Sequence, residues 1–126
     1  MGLRLKPCGL PSELLSVSNM SEPIRGRFYF KRTSNRNLLG EFSNHQSALI
    51  YTESADATVQ SDDFVGSYRS TWQEAGTPLF ADLVISRCPR NQNLFEVVWS
   101  RARTVIFTGE GMLCDEVLIG DYHSGS

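Results

Sequence analysis

The sequence predicts an all-β fold, an antiparallel up-and-down meander of about eight strands closed into a small barrel. Segments of alternating apolar and polar residues recur along the chain, separated by turn residues about every eight to twelve positions. No intervening stretch is long or periodic enough for the crossover helix that parallel neighbouring strands require. The 126 residues match the size of one domain.

The predicted strands are residues 26–33, 37–44, 47–60 (bent near residues 54–56), 64–72, 79–87, 93–101, 103–111 and 116–123. The segments between them are rich in Asn, Asp, Gly and Pro, which favour turns. Residues 1–25 lack strand alternation and contain three prolines. We therefore expect an N-terminal extension, residues 1–25, that docks on a barrel domain, residues 26–126. Met20 is an alternative to Met1 as the native start.

A short motif that recurs in three strands favours a barrel over a sandwich. Two apolar residues precede a glycine, an aromatic residue follows two positions later, and a small polar residue two positions beyond it. The last three share one face because side chains alternate along a strand. Glycine allows the sharp bending that barrel closure needs, and we expect a Cβ there to enter space occupied by neighbouring aromatic rings. The copies are Gly40-Phe42-Asn44, Gly66-Tyr68-Ser70 and Gly120-Tyr122-Ser124.

The same alternation predicts which side chains face the barrel interior. The inward set on successive strands is Gly66, Tyr68, Ser70 and Trp72, then Leu79, Ala81, Leu83 and Ile85, then Phe95, Val97 and Trp99, then Val105, Phe107 and Gly109. We expect five aromatic side chains to be largely buried: Tyr68, Trp72, Trp99, Phe107 and Tyr122. Small eight-stranded barrels either pack such side chains solid or hold one small ligand.

These strands resemble those of the avidin and streptavidin barrels, a branch of the lipocalin-like folds. The glycine–aromatic motif is similar to that family's Gly-Thr-Tyr-x-Ser strands. Residues 95–100 (FEVVWS) look like its strand that ends in a ligand-facing Trp, and residues 105–110 (VIFTGE) resemble the strand that follows. The resemblance covers roughly residues 38–123 and implies the fold more than the ligand.

The resemblance also implies a ligand site that lacks most of the partners of biotin. Trp99 matches the family's stacking Trp, and Asn44 replaces a Ser. Phe42 stands where a Tyr hydroxyl would bind the ureido group, and Arg103 and Val105 fall where Ser and Thr are expected. Each unpaired polar group costs about 1–3 kcal/mol. We therefore expect no specific biotin binding.

Composition and motifs argue against several classes of function. The net charge of −2 and pI of 5.6 do not predict nucleic-acid binding, and no apolar run is long enough to span a bilayer. Cys8, Cys88 and Cys114 are widely spaced and form no metal-type doublet, so we expect reduced thiols in a cytoplasmic protein. No nucleophile elbow, phosphate loop or dinucleotide fingerprint is present, and we expect no catalytic residue, metal or cofactor.

The leading hypothesis is a non-enzymatic barrel that binds a small, largely apolar ligand. The alternatives are a filled barrel that acts as a homo-oligomeric interaction or assembly protein and, least favoured, a small barrel enzyme. A void of several hundred Å³ inside the barrel favours the ligand-binding barrel over the filled barrel. A titratable group in that void with two polar neighbours favours the enzyme. The candidate ligand-binding residues are Phe42, Asn44, Tyr68, Ser70, Trp72, Trp99, Phe107 and Tyr122.

Apolar residues at outward positions of three neighbouring later strands are expected to form a contiguous stripe, which predicts a homo-dimer or homo-tetramer. Exposed apolar patches usually mark an interface, and two-fold pairing is its commonest symmetry. The alternative is that Leu10, Leu14, Leu15 and Val17 of the N-terminal extension cover these positions within one chain. The predicted interface consists of Phe80, Val84, Leu94, Val98 and Ile106.

Overall fold

The computed structural model describes residues 23–59, 61 and 63–125, which form a closed antiparallel barrel. Each strand pairs with its neighbours in the chain, and β1 pairs with β8 to close the sheet. The predicted fold class is confirmed. Within the described residues, no helix has the length and apolar character of a membrane span. The strands are β1 Arg25–Arg32, β2 Leu38–Asn44, β3 Tyr51–Ala57, β4 Gly66–Glu74, β5 Thr77–Cys88, β6 Asn91–Arg101, β7 Thr104–Cys114 and β8 Val117–Ser124.

The largest boundary difference from the sequence prediction is at the third strand. Residues 47–60 were predicted as one bent strand, but β3 spans only Tyr51–Ala57 and the residues before it form a loop. The first strand begins at Arg25, inside the predicted extension. The predicted docking of that extension concerns residues 1–22, which lie outside the described residues.

Two-residue turns join four of the strand pairs, and three of these turns have positive φ at both residues. The residues of these three turns are Ala75–Gly76, Ala102–Arg103 and Asp115–Glu116, and all six have φ between 51° and 80°. Two successive residues with positive φ are typical of the type I′ turn, whose twist matches that of the flanking strands. These short turns connect the longest strands of the barrel, which reach 12 residues in β5.

Apolar side chains fill most of the barrel interior. The predicted inward set on β4, β5 and β6 is buried as expected, except that Gly66 and Leu79 are only partly buried. A bulge between Trp99 and Ser100 interrupts the alternation on β7, so Val105 pairs with the outward-facing Ser100 and not with an interior residue. Ile106, predicted to face outward, is half-buried and packs against the core. The largest fully buried side chains are Phe30, Phe95, Leu38, Leu83, Ile85, Leu118 and Val97.

Two of the motif glycines stand where adjacent strands approach too closely for a side chain. A Cβ on Gly40 would overlap the carbonyl oxygen of Tyr29, and a Cβ on Gly120 would overlap that of Glu110. The obstacle is therefore mainly backbone, where the sequence predicted aromatic rings. At Gly66 the prediction is wrong, because the nearest atom to a Cβ would lie 3.7 Å away, an ordinary contact.

The cysteines differ from the prediction of three reduced thiols. Cys88 is buried and disulfide-bonded. Cys114 is an exposed free thiol at the end of β7. The prediction is therefore wrong for Cys88.

Candidate functional site

A cavity opens at one end of the barrel. This end carries the β2–β3 loop, the β4–β5 and β6–β7 turns, the start of β1 and the end of β8, because antiparallel strands alternate in direction. The volume is about 50 Å³, enough for roughly three to five water-sized positions. Among the described residues, those lining it include two acidic side chains and no basic one. They are Ile24, Phe42, Asn44, Glu53, Trp72, Glu74, Trp99, Phe107 and Tyr122.

Six of the eight predicted ligand-binding residues line this cavity, and two lie elsewhere. Tyr68 is deeper in the core, where its hydroxyl donates a 2.7 Å hydrogen bond to the carbonyl oxygen of Phe64. Ser70 is fully buried and donates to Glu53. The geometry therefore does not support direct ligand binding by Tyr68 or Ser70. Ser70 contributes to the site only through its hydrogen bond to Glu53.

Five aromatic rings form the wall of the cavity, and we call Phe42, Trp72, Trp99, Phe107 and Tyr122 the aromatic wall. The rings meet mostly edge to face: Phe107 and Tyr122 have centroids 5.5 Å apart at 89°, and Phe42 and Trp72 have centroids 5.9 Å apart at 88°. Such contacts each add about 0.5–1.5 kcal/mol beyond the burial of area. Four of the five aromatic side chains predicted to be buried are so, whereas Phe107 at the mouth is half-buried.

Glu53 places a carboxyl group inside the barrel. It projects inward from β3 and is 2% exposed. Its Oε2 accepts hydrogen bonds from the Ser70 hydroxyl and, at 2.7 Å, from the indole nitrogen of Trp99. None of the described residues donates a hydrogen bond to its other oxygen, Oε1. Oε1 is not sealed from solvent. Oε1 therefore remains available to a molecule in the cavity.

The environment of Glu53 brings its protonation into the neutral range. Burial raises the pKa of Glu53 from 4.5 to about 7, because little water remains to solvate the carboxylate. The hydrogen bonds from Ser70 and Trp99 favour the ionised form and limit that rise. Near neutral pH the carboxyl thus exists both as an acceptor-only carboxylate and as a protonated group that can donate.

A second carboxylate lies at the rim of the cavity. Glu74, an exposed residue at the end of β4, accepts a 3.1 Å hydrogen bond from the indole nitrogen of Trp72. Both tryptophans of the chain therefore line one cavity, and each donates its N–H group to a carboxyl group that also lines it.

The remaining polar groups of the cavity already have partners. The Tyr122 hydroxyl accepts a hydrogen bond from Asn44 at 3.4 Å and donates to the Ser43 carbonyl oxygen at 3.3 Å. Burial raises the pKa of Tyr122, so its hydroxyl keeps its proton at neutral pH. No group of three or more His, Cys, Asp or Glu residues within the described part of the chain is placed to hold a metal ion.

Sequence reasoning missed Glu53 because it treated residues 47–60 as one bent strand and assigned no inward face there. The signal is nevertheless present in the alternation of β3. Tyr51, Ala55 and Ala57 occupy one face, and the polar residues Thr52, Ser54 and Asp56 occupy the other. Because Glu53 shares its face of the strand with Tyr51, Ala55 and Ala57, which face the core, it also lies inside the barrel.

The predicted interface residues do not form one continuous stripe. Phe80 and Val84 are exposed, by 53% and 45%, and Val84 pairs directly with Val98 across β5 and β6. Glu96, which pairs with Glu110, lies between Val98 and Leu94 on the same face of β6. An acidic pair therefore separates two apolar rows, of which the second contains Leu94, Met112 and Ile119.

Comparison of the chain with protein-family models, with curated proteins and with solved structures finds no match. The fold and site define the protein as an eight-stranded antiparallel barrel with a carboxyl-bearing, aromatic-walled cavity at one end.

Proposed function

We propose that the protein is a non-enzymatic barrel that binds a small, largely apolar ligand at its open end, as avidin-like and lipocalin-like barrels do. The observation that carries the proposal is the unpartnered Oε1 of Glu53 at the inner end of an aromatic-walled cavity. Oε1 is not sealed from solvent, so a molecule in the cavity can act as its hydrogen-bond partner. A ligand that supplies one here gains a hydrogen bond in a site with little competing water.

The size of the cavity limits what enters it. At about 50 Å³ it is well below the 300–1,000 Å³ of typical ligand pockets. Its size alone therefore fits the filled-barrel alternative better than a barrel that encloses a whole ligand. A headgroup of a few heavy atoms fits, and the remainder of the ligand stays at the mouth. There the β2–β3 loop exposes the apolar side chains of Leu49 and Ile50. We expect no tight biotin binding, because Phe42 offers no hydroxyl to the ureido group.

The indole N–H groups of Trp72 and Trp99 provide the test. In a nitrogen-15 NMR spectrum of the full chain, their two resonances are followed during titration with small neutral aromatics, amines and carboxylates. We expect at least one class to shift both resonances in a saturable manner, and Leu39→Ala on the outer face of β2 to leave that binding unchanged. If no compound of any class shifts either resonance, the proposal is wrong.

A small barrel enzyme is the second candidate, and Glu53 alone favours it. A carboxyl group whose pKa is about 7 suits general acid–base chemistry at neutral pH, and Oε1 reaches the cavity. A bound compound recovered chemically unchanged after long incubation supports the binding barrel. If the compound is converted to a product, and Glu53→Gln abolishes that conversion, the enzyme is favoured.

Two further features belong to the proposal. A homo-oligomer with Phe80, Val84 and Val98 in its interface is supported by their exposed or half-exposed apolar side chains. The cytoplasmic location stays a prediction, although its argument from reduced thiols fails because Cys88 is disulfide-bonded. Disulfides are rare in the cytosol and common in oxidising compartments, so localisation in the native host is the deciding measurement.

A further inference from the structure

We propose that the headgroup recognised by this cavity is a small organic cation, a protonated or quaternary amine. This inference rests on the proposed binding function and names the chemical class of the ligand. The cavity combines the five rings of the aromatic wall with the carboxyl groups of Glu53 and Glu74. Aromatic faces attract cations, and tryptophan does so most strongly.

The two tryptophans are held in a way that strengthens this attraction. Trp99 donates its indole N–H to Glu53 at 2.7 Å, and Trp72 donates its own to Glu74 at 3.1 Å. A carboxylate acceptor polarises the indole and increases the negative charge on the ring face, because hydrogen-bonded groups polarise one another in a low-dielectric site. Each indole that lines the cavity is therefore more electron-rich than a solvated tryptophan.

The charge balance of the cavity points the same way. No Lys, Arg or His is among the described residues that line it, so neither carboxyl group is neutralised by a basic lining residue. A cation brought beside Glu53 enters a site with much less screening than water provides, and the attraction there is correspondingly greater. An anionic headgroup meets repulsion from both carboxyl groups.

The inference predicts that affinity rises with pH through the titration of Glu53. Among the described residues, the other titratable groups that line the cavity are Glu74 on β4 and Tyr122 on β8, and Tyr51 on β3 stacks against the lining residue Phe42. The inward side chains of β1, β2, β5, β6 and β7 nearby are uncharged, among them Phe28, Phe42, Asn44, Leu79, Trp99 and Phe107. Since the pKa of Glu53 is about 7, its ionised fraction rises about tenfold between pH 6 and pH 8.

The experiment compares choline with 3,3-dimethylbutan-1-ol, which has the same shape but carbon in place of the charged nitrogen. Both are titrated into the full-length protein at pH 8, with the Trp72 and Trp99 indole resonances as the readout. We expect choline to bind at least tenfold more tightly than the alcohol, and about tenfold more tightly at pH 8 than at pH 6. Glu53→Gln should remove most of the preference. Glu41→Gln, which removes one carboxylate from the outer face of β2, should leave it intact.

The outcomes separate this inference from the proposed function. Equal binding of the two probes, or binding only by neutral or carboxylate compounds, overturns the cationic headgroup and leaves the binding barrel standing. No binding by any compound overturns both. If Glu53→Gln does not fold, the wild-type pH dependence decides, and choline affinity that is flat between pH 6 and pH 8 overturns the inference.

Discussion

The indole nitrogen of Trp99 donates a 2.7 Å hydrogen bond to Oε2 of Glu53, joining residues 46 positions apart in the chain. The two residues lie on β3 and β6, which are not neighbours in the sheet, so the bond crosses the barrel interior. Ser70 on β4 donates to the same oxygen. A polar link between strands is thus built into an otherwise apolar core, and it leaves Oε1 of the carboxyl group facing the cavity.

The first prediction concerns how stability depends on pH. Below about pH 4.5 Glu53 is protonated in both the folded and unfolded states and has no effect on pH dependence. Between pH 4.5 and about 7 only the folded state retains the proton, so the free energy of unfolding falls as pH rises. Well above pH 7 this decrease in the free energy of unfolding is complete, and it amounts to about 3 kcal/mol for a pKa shift of this size.

Urea unfolding of the wild type and of Glu53→Gln at pH 5, 6, 7 and 8 measures this effect. The variant cannot ionise, so the wild type should lose about 2 to 3 kcal/mol relative to it between pH 5 and pH 8. Glu41→Gln removes a carboxylate outside the barrel and should keep the wild-type slope. A difference between wild type and Glu53→Gln that does not change with pH would show that Glu53 is not buried as described.

The second prediction concerns Gly120, where β7 and β8 approach closely. A methyl group there would overlap the Glu110 carbonyl oxygen, an atom that moves only with its strand. We expect Gly120→Ala to lower the free energy of unfolding by about 1–3 kcal/mol or more. Ile119→Val, at the exposed neighbouring position, should change it by no more than about 0.5 kcal/mol. Equal stability of Gly120→Ala and wild type in urea unfolding would refute the steric argument.

The third prediction concerns assembly. Sedimentation of the full-length chain should show a dimer or tetramer, because Phe80 and Val84 expose apolar surface beside Val98. Val84→Lys should shift the protein to monomer. Leu39→Lys, at a similarly exposed apolar position on β2, should leave the assembly unchanged. A wild-type chain that sediments as a monomer at every concentration contradicts the prediction.

Much of the barrel could be predicted from local pattern, because a half-buried strand records its inward face at every second residue. The alternation of β4 to β6 identified Tyr68, Leu83, Val97 and Trp99 as core residues, and all four are buried. Alternation fails where one residue is inserted. The bulge after Trp99 therefore reversed the expected positions of Val105 and Ile106.

The candidate site was only partly predictable, because its chemistry depends on contacts distant in sequence. The aromatic side chains at the cavity follow from strand pattern, but nothing near Glu53 in the chain indicates that Trp99 would satisfy one of its oxygen atoms. A charged residue within a strand is usually solvent-exposed, and only the closed barrel makes this one interior. The disulfide of Cys88 likewise could not be inferred from widely spaced cysteines.

The most direct test of the account is the chemical shift of the Trp99 indole N–H group between pH 4 and pH 9. Trp99→Phe assigns the resonance, and Trp72, which donates to Glu74, provides the second indole signal in the same spectrum. Because Trp99 donates to Glu53, its shift should follow the protonation of that carboxyl group, with a midpoint near pH 7 that Glu53→Gln removes. A midpoint near 4.5, or a resonance that does not change with pH, would contradict a buried carboxyl group at the inner end of the cavity.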